Sequence, residues 1–415
     1  MPDIVSRTFV VAIAASIASW LAPVPATGGA SVHEKVLYNF CSQQNCTDGS
    51  QPGSALLADG SGNLYGTTYS GGNRNFGTVF KLAPDGTEQV LHSFCADDQC
   101  ADGAYPRYGA LIADGAGNLY GMANEDGAHD NGTVFRVSSS GAETTLYTFC
   151  AKTNCWDGAL PFAGLAMDSS GNLYGTTSRG GGHAEFPPAD GVIFRISSRG
   201  KESVLRSFCS KRDCLDGGGP NAGPIMDNLG NLYGTALYGG KGQHGVVFKL
   251  SPDGAYTVLH AFCTKPNCTD GADPFAGVVM DNAGNLYGAT NSGGKGGGGV
   301  VFKLTPSGIE TQLHAFCSNA MCKDGHAPIG VIVDGAGNVY GTTIEGGKHD
   351  AGAIFKITPD GTETVLYSFC SRAACADGET PFGSLIADDT GNLYGTTAGG
   401  GSNNAGVVFK ISLAQ

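Results

Sequence analysis

The cysteines form the most regular chemical pattern in this sequence. All 14 occur in pairs of the form Phe-Cys-x4-Cys-x-Asp-Gly, and the pairs recur every 53 to 59 residues. Such pairs form disulfides in exported proteins, or two pairs converge to give zinc four thiolates. Repeats that radiate from one axis would hold the pairs apart, so we expect disulfides within each pair. These are Cys41–Cys46, Cys95–Cys100, Cys150–Cys155, Cys209–Cys214, Cys263–Cys268, Cys317–Cys322 and Cys370–Cys375.

An aspartate stands two residues after the second cysteine of every pair. Seven equivalent carboxylates on one face of a ring would suit a cation such as calcium, which prefers oxygen ligands. Alternatively, each aspartate begins an Asp-Gly turn and accepts hydrogen bonds from its own backbone. Both interpretations concern the same residues, namely Asp48, Asp102, Asp157, Asp216, Asp270, Asp324 and Asp377.

Histidines in the loops are a second group of candidates for ligand binding. His129-Asp130 and His349-Asp350 occupy matching places in their repeats, and His183 lies in a lengthened loop of the third repeat. A histidine beside an acid can act as a general base or a metal ligand. The alternative is that these side chains are ordinary solvated polar groups of loops.

One tryptophan stands in a loop of the third repeat. Trp156 directly follows the second cysteine of its pair. An aromatic face beside a polar loop can stack on a sugar ring, because aromatic groups bury a large area at little entropy cost. The same side chain could instead cover the neighbouring disulfide.

Four short apolar runs alternate with turns in every repeat. In the first complete repeat they are Ala55–Ala58, Asn63–Thr68, Gly77–Leu82 and Glu88–Phe94. Val, Thr, Tyr and Phe dominate these runs, and Gly, Asn and Asp cluster between them, a pattern typical of antiparallel strands. We name the strands A, B, C and D. Alternate connections of such a sheet lie at one end, so the D–A and B–C loops should share a face, here called the loop face.

The two ends of the repeat array are out of phase. The first run, Lys35–Phe40, is a D strand, whereas the last three, Leu385–Ala387, Asn392–Thr397 and Gly406–Ile411, are A, B and C strands. Together they complete one sheet, and a ring closed in this way has no exposed edges. The sequence therefore predicts an all-β fold, a seven-bladed β-propeller of four-stranded antiparallel blades whose last blade combines both termini.

The N-terminal segment differs from the repeats. Arg7 precedes the apolar run Phe9–Leu21, and small residues around Ala26 resemble the cleavage site of a secretory signal peptide. The alternative is an N-terminal anchor or core segment, although the run is short for a bilayer span. We expect a signal peptide over residues 1–26, one propeller domain over residues 27–415, and a monomer in the periplasm or outside the cell.

Composition limits the partners. The chain contains 67 glycines, only 15% charged residues and a formal charge of −13. Nucleic acids and anionic membrane surfaces need clustered Lys and Arg, so this charge argues against both. No run after the N-terminal segment is apolar enough to cross a membrane. Neutral ligands and cations fit this composition better.

The repeated segments GNLYGTT, GG and GVVFKL, in this order, resemble the GloVer tandem repeat family of exported bacterial proteins. In that family, similar arrays carry different C-terminal sorting anchors. The resemblance extends from about Val32 to Ser412 and implies an extracytoplasmic repeat protein without a defined biochemical activity. The strand order is also similar to that of NHL-type and streptogramin-lyase-like propellers, a likeness of architecture that does not determine function.

Three functional hypotheses follow. We expect a secreted ligand-binding or scaffold module for carbohydrate or another extracytoplasmic protein, because nearly identical blades lack the asymmetry of a catalytic centre. The second hypothesis is a propeller lyase or lactone hydrolase that uses a bound divalent cation. The third is a structural component of the cell envelope.

Overall fold

Seven antiparallel sheets follow one another along the chain and form a seven-bladed β-propeller, as predicted. The computed structural model describes residues 32–182, 190–318 and 321–413. The predicted signal peptide and His183 lie outside these residues. Within them, no helix is long and apolar enough to cross a membrane.

The strands are numbered in chain order. The chain begins with β1 (Val32–Asn39) and β2 (Ser50–Pro52). Blade 1 contains β3 (Leu57–Ala58), β4 (Leu64–Ser70), β5 (Thr78–Leu82) and β6 (Glu88–Ser93). Blade 2 contains β7 (Ile112–Ala113), β8 (Leu119–Ala123), β9 (Thr133–Val137) and β10 (Glu143–Thr148). Blade 3 contains β11 (Ala166–Met167), β12 (Leu173–Thr177), β13 (Val192–Ile196) and β14 (Glu202–Ser207).

The second half of the ring repeats this order. Blade 4 contains β15 (Ile225–Met226), β16 (Leu232–Ala236), β17 (Val246–Leu250) and β18 (Tyr256–Ala261). Blade 5 contains β19 (Val279–Met280), β20 (Leu286–Thr290), β21 (Val300–Leu304) and β22 (Glu310–Ala315). Blade 6 contains β23 (His326–Val333), β24 (Val339–Glu345), β25 (Ala353–Ile357) and β26 (Glu363–Ser368), and the chain ends with β27 (Ile386–Ala387), β28 (Leu393–Thr397) and β29 (Val407–Leu413). Short 3-10 helices span Gln44–Cys46, Thr153–Cys155, Arg212–Cys214, Pro266–Cys268 and Ala373–Cys375.

Blade 7 joins the two ends of the chain. β1 pairs with β29 from Val32↔Leu413 to Asn39↔Val407, and β28 and β27 complete the sheet. The predicted closure by one N-terminal and three C-terminal strands is therefore confirmed. The A strands are shorter than predicted, with two residues in most blades.

A glycine in strand B makes room for the core of each blade. A Cβ added at Gly66 would lie 2.7 Å from Cζ of the strand-C residue Phe80. Phe80 is fully buried and packs edge-on against Phe40 of the preceding blade, with ring centroids 5.0 Å apart. The Gly of the repeated Leu-Tyr-Gly sequence is therefore required by the phenylalanine opposite.

Neighbouring blades are joined by one repeated contact on the loop face. A Cβ added at Gly77, which precedes strand C of blade 1, would lie 2.8 Å from Cδ of Pro106 in the loop of blade 2. The residue before this proline, Tyr105, donates its backbone N–H to the Phe76 carbonyl at 2.9 Å. Equivalent backbone bonds link the other six pairs of blades, with Gln51, Leu160, Gly219, Asp273, Ala327 and Thr380 as donors.

A pair of glycines in six of the seven B–C loops contacts the disulfide loop of the same blade, and in blade 2 Asp126 takes the place of the first glycine. In blade 5, Gly294 N–H donates to the Cys268 carbonyl at 2.9 Å. Gly293 has φ +77°, and an added Cβ would lie 2.6 Å from the same carbonyl oxygen. Any side chain at Gly293 would therefore push the two loops apart.

This contact predicts a specific loss of stability for Gly293→Ala. Gly297, in the same loop, has φ +78° with no atom within 4 Å of an added Cβ, so Gly297→Ala provides the matched control for backbone strain alone. We expect Gly297→Ala to lower the free energy of unfolding by about 1 kcal/mol and Gly293→Ala by about 2–3 kcal/mol. Urea unfolding of both variants measures the difference. Equal losses would show that the close approach contributes nothing.

Candidate functional site

All fourteen cysteines form the predicted disulfides, so the zinc alternative has no thiolates available. Each bond joins two cysteines separated by five positions, and the described chain contains no free cysteine. The groups of three or more possible metal ligands found in the described residues each include such a pair. Disulfide sulfurs are poor ligands, and none of these groups makes a metal site.

The seven aspartates that follow the second cysteines are buried inside their own disulfide loops. Asp48 is typical, because its Oδ2 accepts hydrogen bonds from Ser42 N and Tyr38 Oη, both at 2.8 Å. Its Oδ1 accepts from Gln43 N at 3.3 Å. The carboxylates therefore face seven separate loops, and the structure does not bring them together.

Six of these aspartates have a partner in strand D, ten residues earlier in the chain. The partner is a tyrosine, a histidine or an arginine, and all three types donate a hydrogen bond or form an ion pair. The pairs are Tyr38–Asp48 at 2.8 Å, His92–Asp102 at 2.9 Å, Tyr147–Asp157 at 2.7 Å, Arg206–Asp216 at 2.6 Å, His314–Asp324 at 3.3 Å and Tyr367–Asp377 at 2.7 Å. The varied residues of these six pairs share one task, which is to bond the loop carboxylate. In the remaining blade, Asp270 accepts from Thr264 Oγ1 at 2.7 Å, and Nε2 of His260 has no hydrogen-bond partner among the described residues.

A glutamate from the next blade adds a second acid to most of these pairs. Burial, together with the nearby Asp48 carboxylate, raises the pKa of Glu88 to about 7. Burial and the charge of Asp324 raise the pKa of Glu363 to about 7 in the same way. At such an interface, the negative charge of one carboxylate raises the pKa of the other.

The interface between blades 3 and 4 is built differently. Arg206 replaces the tyrosine or histidine, and Tyr256 replaces the glutamate of the next blade. The Arg206 guanidinium lies 4.6 Å from the centroid of the Tyr256 ring, whose hydroxyl donates to the Asp216 carbonyl at 2.6 Å. Burial alone would raise the pKa of Asp216, but hydrogen bonds from Ser210 and Arg206 outweigh it and hold that pKa below its usual value.

The aspartates that end strand A bind their own hairpins on the opposite face. Asp59 Oδ1 accepts from Ser61 N and Asn63 N, both at 2.9 Å, and Oδ2 accepts from Asn63 Nδ2 at 2.7 Å. These bonds to the neighbouring backbone are typical of an aspartate that begins a turn. These groups have no access to the loop face.

The two His-Asp pairs lie in the B–C loops of blades 2 and 6, and the structure does not bring them together. His129 and Asp130 are exposed. Asp350 Oδ1 accepts from Gly346 N at 3.1 Å, which ties it to its own loop. His349 and Asp350 also line a cavity of about 690 Å³, and Met321, which lines it as well, is 75% exposed.

A larger cavity, of about 1110 Å³, opens on the loop face above blade 3. We call it the blade-3 pocket. Its wall includes Trp156, Arg179, Asp190, Asn221 and Tyr238. Gly182 and Asp190 both line the pocket, and residues 183–189 lie outside the described residues.

Two aromatic side chains of this pocket lie against glycine. Trp156 is 45% exposed, and a Cβ added at Gly182 would lie 2.5 Å from its Cε2. A Cβ added at Gly218 would lie 2.4 Å from Cε2 of Tyr238. Burial and a hydrogen bond to Asp190 raise the pKa of Tyr238, so its hydroxyl remains a donor at neutral pH.

The repeats differ from one another in this region. The difference is visible only when the repeats are compared, and not in any single motif. On the loop face, one residue of each D–A loop pairs with one at the end of strand B. The paired residues are Ser50/Ser70, Ala104/Glu125, Ala159/Arg179, Gly218/Tyr238, Ala272/Ser292, His326/Glu345 and Glu379/Gly399. Their chemistry changes from blade to blade while the strands stay nearly constant, as expected where a scaffold carries a recognition surface.

Family comparison agrees with the repeat pattern. The model of the Gloeobacter/Verrucomicrobia repeat matches residues 27–229 and 219–415. The chain belongs to this family. The resemblance to the GloVer family expected from the repeated segments is therefore confirmed. No functionally curated protein matches the chain.

Solved structures similar to this family member share its fold. Two structures show the extracellular domain of a protein from B. thetaiotaomicron, which is described as a hybrid two-component system for one structure and as a one-component system for the other. They have TM-scores of 0.57 and 0.55 at 11% and 10% identity. Each match covers 90% of this chain but only 39% of the solved chain. A gluconolactonase from Xanthomonas campestris is more distant, with a TM-score of 0.43, 14% identity, and coverage of 84% of this chain and 99% of its own.

The buried glutamates predict that stability falls as pH rises from about 4.5 to about 7. The folded protein keeps protons that the unfolded chain releases over this range, because the pKa of Glu88 rises from 4.5 to about 7 on folding. We expect Glu88→Gln to raise Tm at pH 8 by on the order of 2 °C and to leave Tm unchanged near pH 4. Thermal unfolding across this pH range measures the effect, and the exposed Glu125→Gln is the control. A pH-independent difference would contradict the assignment.

Proposed function

We propose that this protein is a secreted, ligand-binding propeller that binds carbohydrate in the blade-3 pocket. The observation that carries the proposal is the half-exposed Trp156 indole at the wall of a cavity of about 1110 Å³. Concave sites of this size, with aromatic walls and a few polar groups, are typical of small-ligand binding.

The polar groups of the pocket suit a ligand rich in hydroxyl groups. Asn131, Asn154 and Asn221 supply amides that both donate and accept, and Asp190 supplies an acceptor. An indole offers its face to the C–H side of a sugar ring, so apolar and polar recognition are both available. A purely structural component would have no need for an exposed tryptophan on a concave surface.

Three observations support a location outside the cytoplasm. The N-terminal segment has the composition of a signal peptide. Seven disulfides are expected to persist only in an oxidising compartment. The solved neighbours with the higher TM-scores are extracellular domains, a likeness that concerns their fold.

The proposal is tested by binding to an array of plant, bacterial and mucin glycans, followed by calorimetric titration of the glycans that bind. We expect Trp156→Ala to weaken binding at least tenfold, because the stacking surface is lost. Leu215→Ala is the matched control, since Leu215 stands at the equivalent position of the next repeat and is 47% exposed against 45% for Trp156. Equal binding by both variants would contradict a role for the indole, and the absence of any glycan signal would overturn the proposal.

A further inference from the structure

The central channel is lined in part by residues that follow the inter-blade prolines on the loop face. The residue compared is the first after that proline, or the second in blade 2, and it has a side chain in every blade but the first. The residues are Gly53, Tyr108, Phe162, Asn221, Phe275, Ile329 and Phe382. Four of the seven are aromatic, in blades 2, 3, 5 and 7.

Between the inter-blade proline and the strand-A aspartate, blade 2 has one residue more than blades 1, 3, 4, 5 and 7, and blade 6 has one fewer. Pro106 and Asp114 are eight positions apart, whereas Pro161 and Asp168 in blade 3 are seven apart. The insertion extends the loop and carries Tyr108 toward the centre of the ring.

Tyr108 lies over the propeller axis. Its ring stacks on Phe382 of blade 7 at 4.5 Å between centroids. It also contacts Phe162 of blade 3 at 5.3 Å and Phe275 of blade 5 at 5.7 Å. A ring from blade 2 can reach these three blades only across the axis. All four side chains are half-buried, so each keeps part of its surface in solvent.

The channel below this cluster does not offer a comparable site. Its cavity has a volume of about 350 Å³ and is lined largely by small and aliphatic residues such as Leu56, Gly164 and Val278. Tyr108 and Phe382 form one end of it. A polar ligand would therefore bind on the outer side of the aromatic cluster.

The aromatic surface continues in two directions. Toward blade 1, the Arg107 guanidinium lies 4.3 Å from the centroid of Tyr69 and 5.2 Å from that of Tyr108. Toward blade 3, Phe162 contacts Tyr108 and also lines the blade-3 pocket. The pocket and the axial cluster are therefore parts of one surface.

We propose that the axial cluster around Tyr108 is a second sugar-binding subsite, and that the ligand is an oligosaccharide that extends from the blade-3 pocket across the axis. This inference rests on the proposed carbohydrate function. Contiguous, partly exposed aromatic rings offer successive stacking positions for a chain of sugar units. A guanidinium stacked between two rings keeps its N–H groups available for hydroxyl oxygens.

The experiment compares ligand length in matched variants. Cello-, xylo- and malto-oligosaccharides of one to six units are titrated into the oxidised mature protein and into Tyr108→Ala, Tyr108→Phe and Trp156→Ala. We expect the Kd of the wild-type protein to fall with length. Tyr108→Ala should raise the Kd of the longer ligands about tenfold and leave the Kd of the shortest ligand that binds unchanged. Tyr108→Phe should keep the wild-type decrease of Kd with length. Trp156→Ala should weaken binding at every length.

The outcomes separate this inference from the function on which it rests. If sugars bind but the gain with length is the same in Tyr108→Ala, the second subsite is wrong and the pocket stands. If no sugar of any length binds the wild-type protein, both proposals fail. Unchanged Tm values for the variants establish that any loss arises at the surface and not from unfolding.

Discussion

The loop face depends on the close approach between the B–C loop and the backbone of the disulfide loop, which a glycine pair makes possible in six of the seven blades. The carbonyl of the second cysteine accepts a hydrogen bond from the second glycine, as from Gly294 to Cys268, and the first glycine has no space for a side chain. The disulfide, the buried aspartate and this contact together hold the D–A loop to its own blade. A rigid frame of this kind allows the outer residues to vary without disturbing the ring.

The frame also explains how polar groups are distributed over the molecule. Acidic side chains are numerous, yet the two aspartate series are committed to loops or hairpins and bond groups near them in sequence. Local carboxylate bonding of this sort substitutes for regular secondary structure in a chain with few helices. The groups left for ligands are amides, aromatic rings and the few charged residues at the variable positions. These groups are the ones on which the proposed carbohydrate binding depends.

The features of the fold that repeat along the chain were predictable from the sequence. Seven equivalent copies identified the blades, their out-of-phase ends identified the closure, and identical spacing identified the disulfides. The role of the strand-D position was not predictable, because Tyr38, His92 and Arg206 share a donor function that appears only when their aspartate is placed beside them. The inserted residue next to Tyr108 is visible in the sequence. Its effect was not predictable, because the direction of the Tyr108 side chain depends on the closed ring. Comparison of the repeats with one another would have located the variable positions of the loop face.

The exchange of two residues at the interface between blades 3 and 4 affects where the ring can open. Most interfaces place a glutamate beside a buried aspartate, so ionisation loosens them, whereas Arg206 and Tyr256 leave this one without a second acid. Local opening at neutral pH should therefore begin at interfaces such as those of Glu88 and Glu363, away from the pocket. Amide exchange would then be slower at the interface between blades 3 and 4 than at the interfaces of Glu88 and Glu363. The interfaces at which the ring opens most readily are therefore distant from the pocket, where a ligand would need a fixed surface.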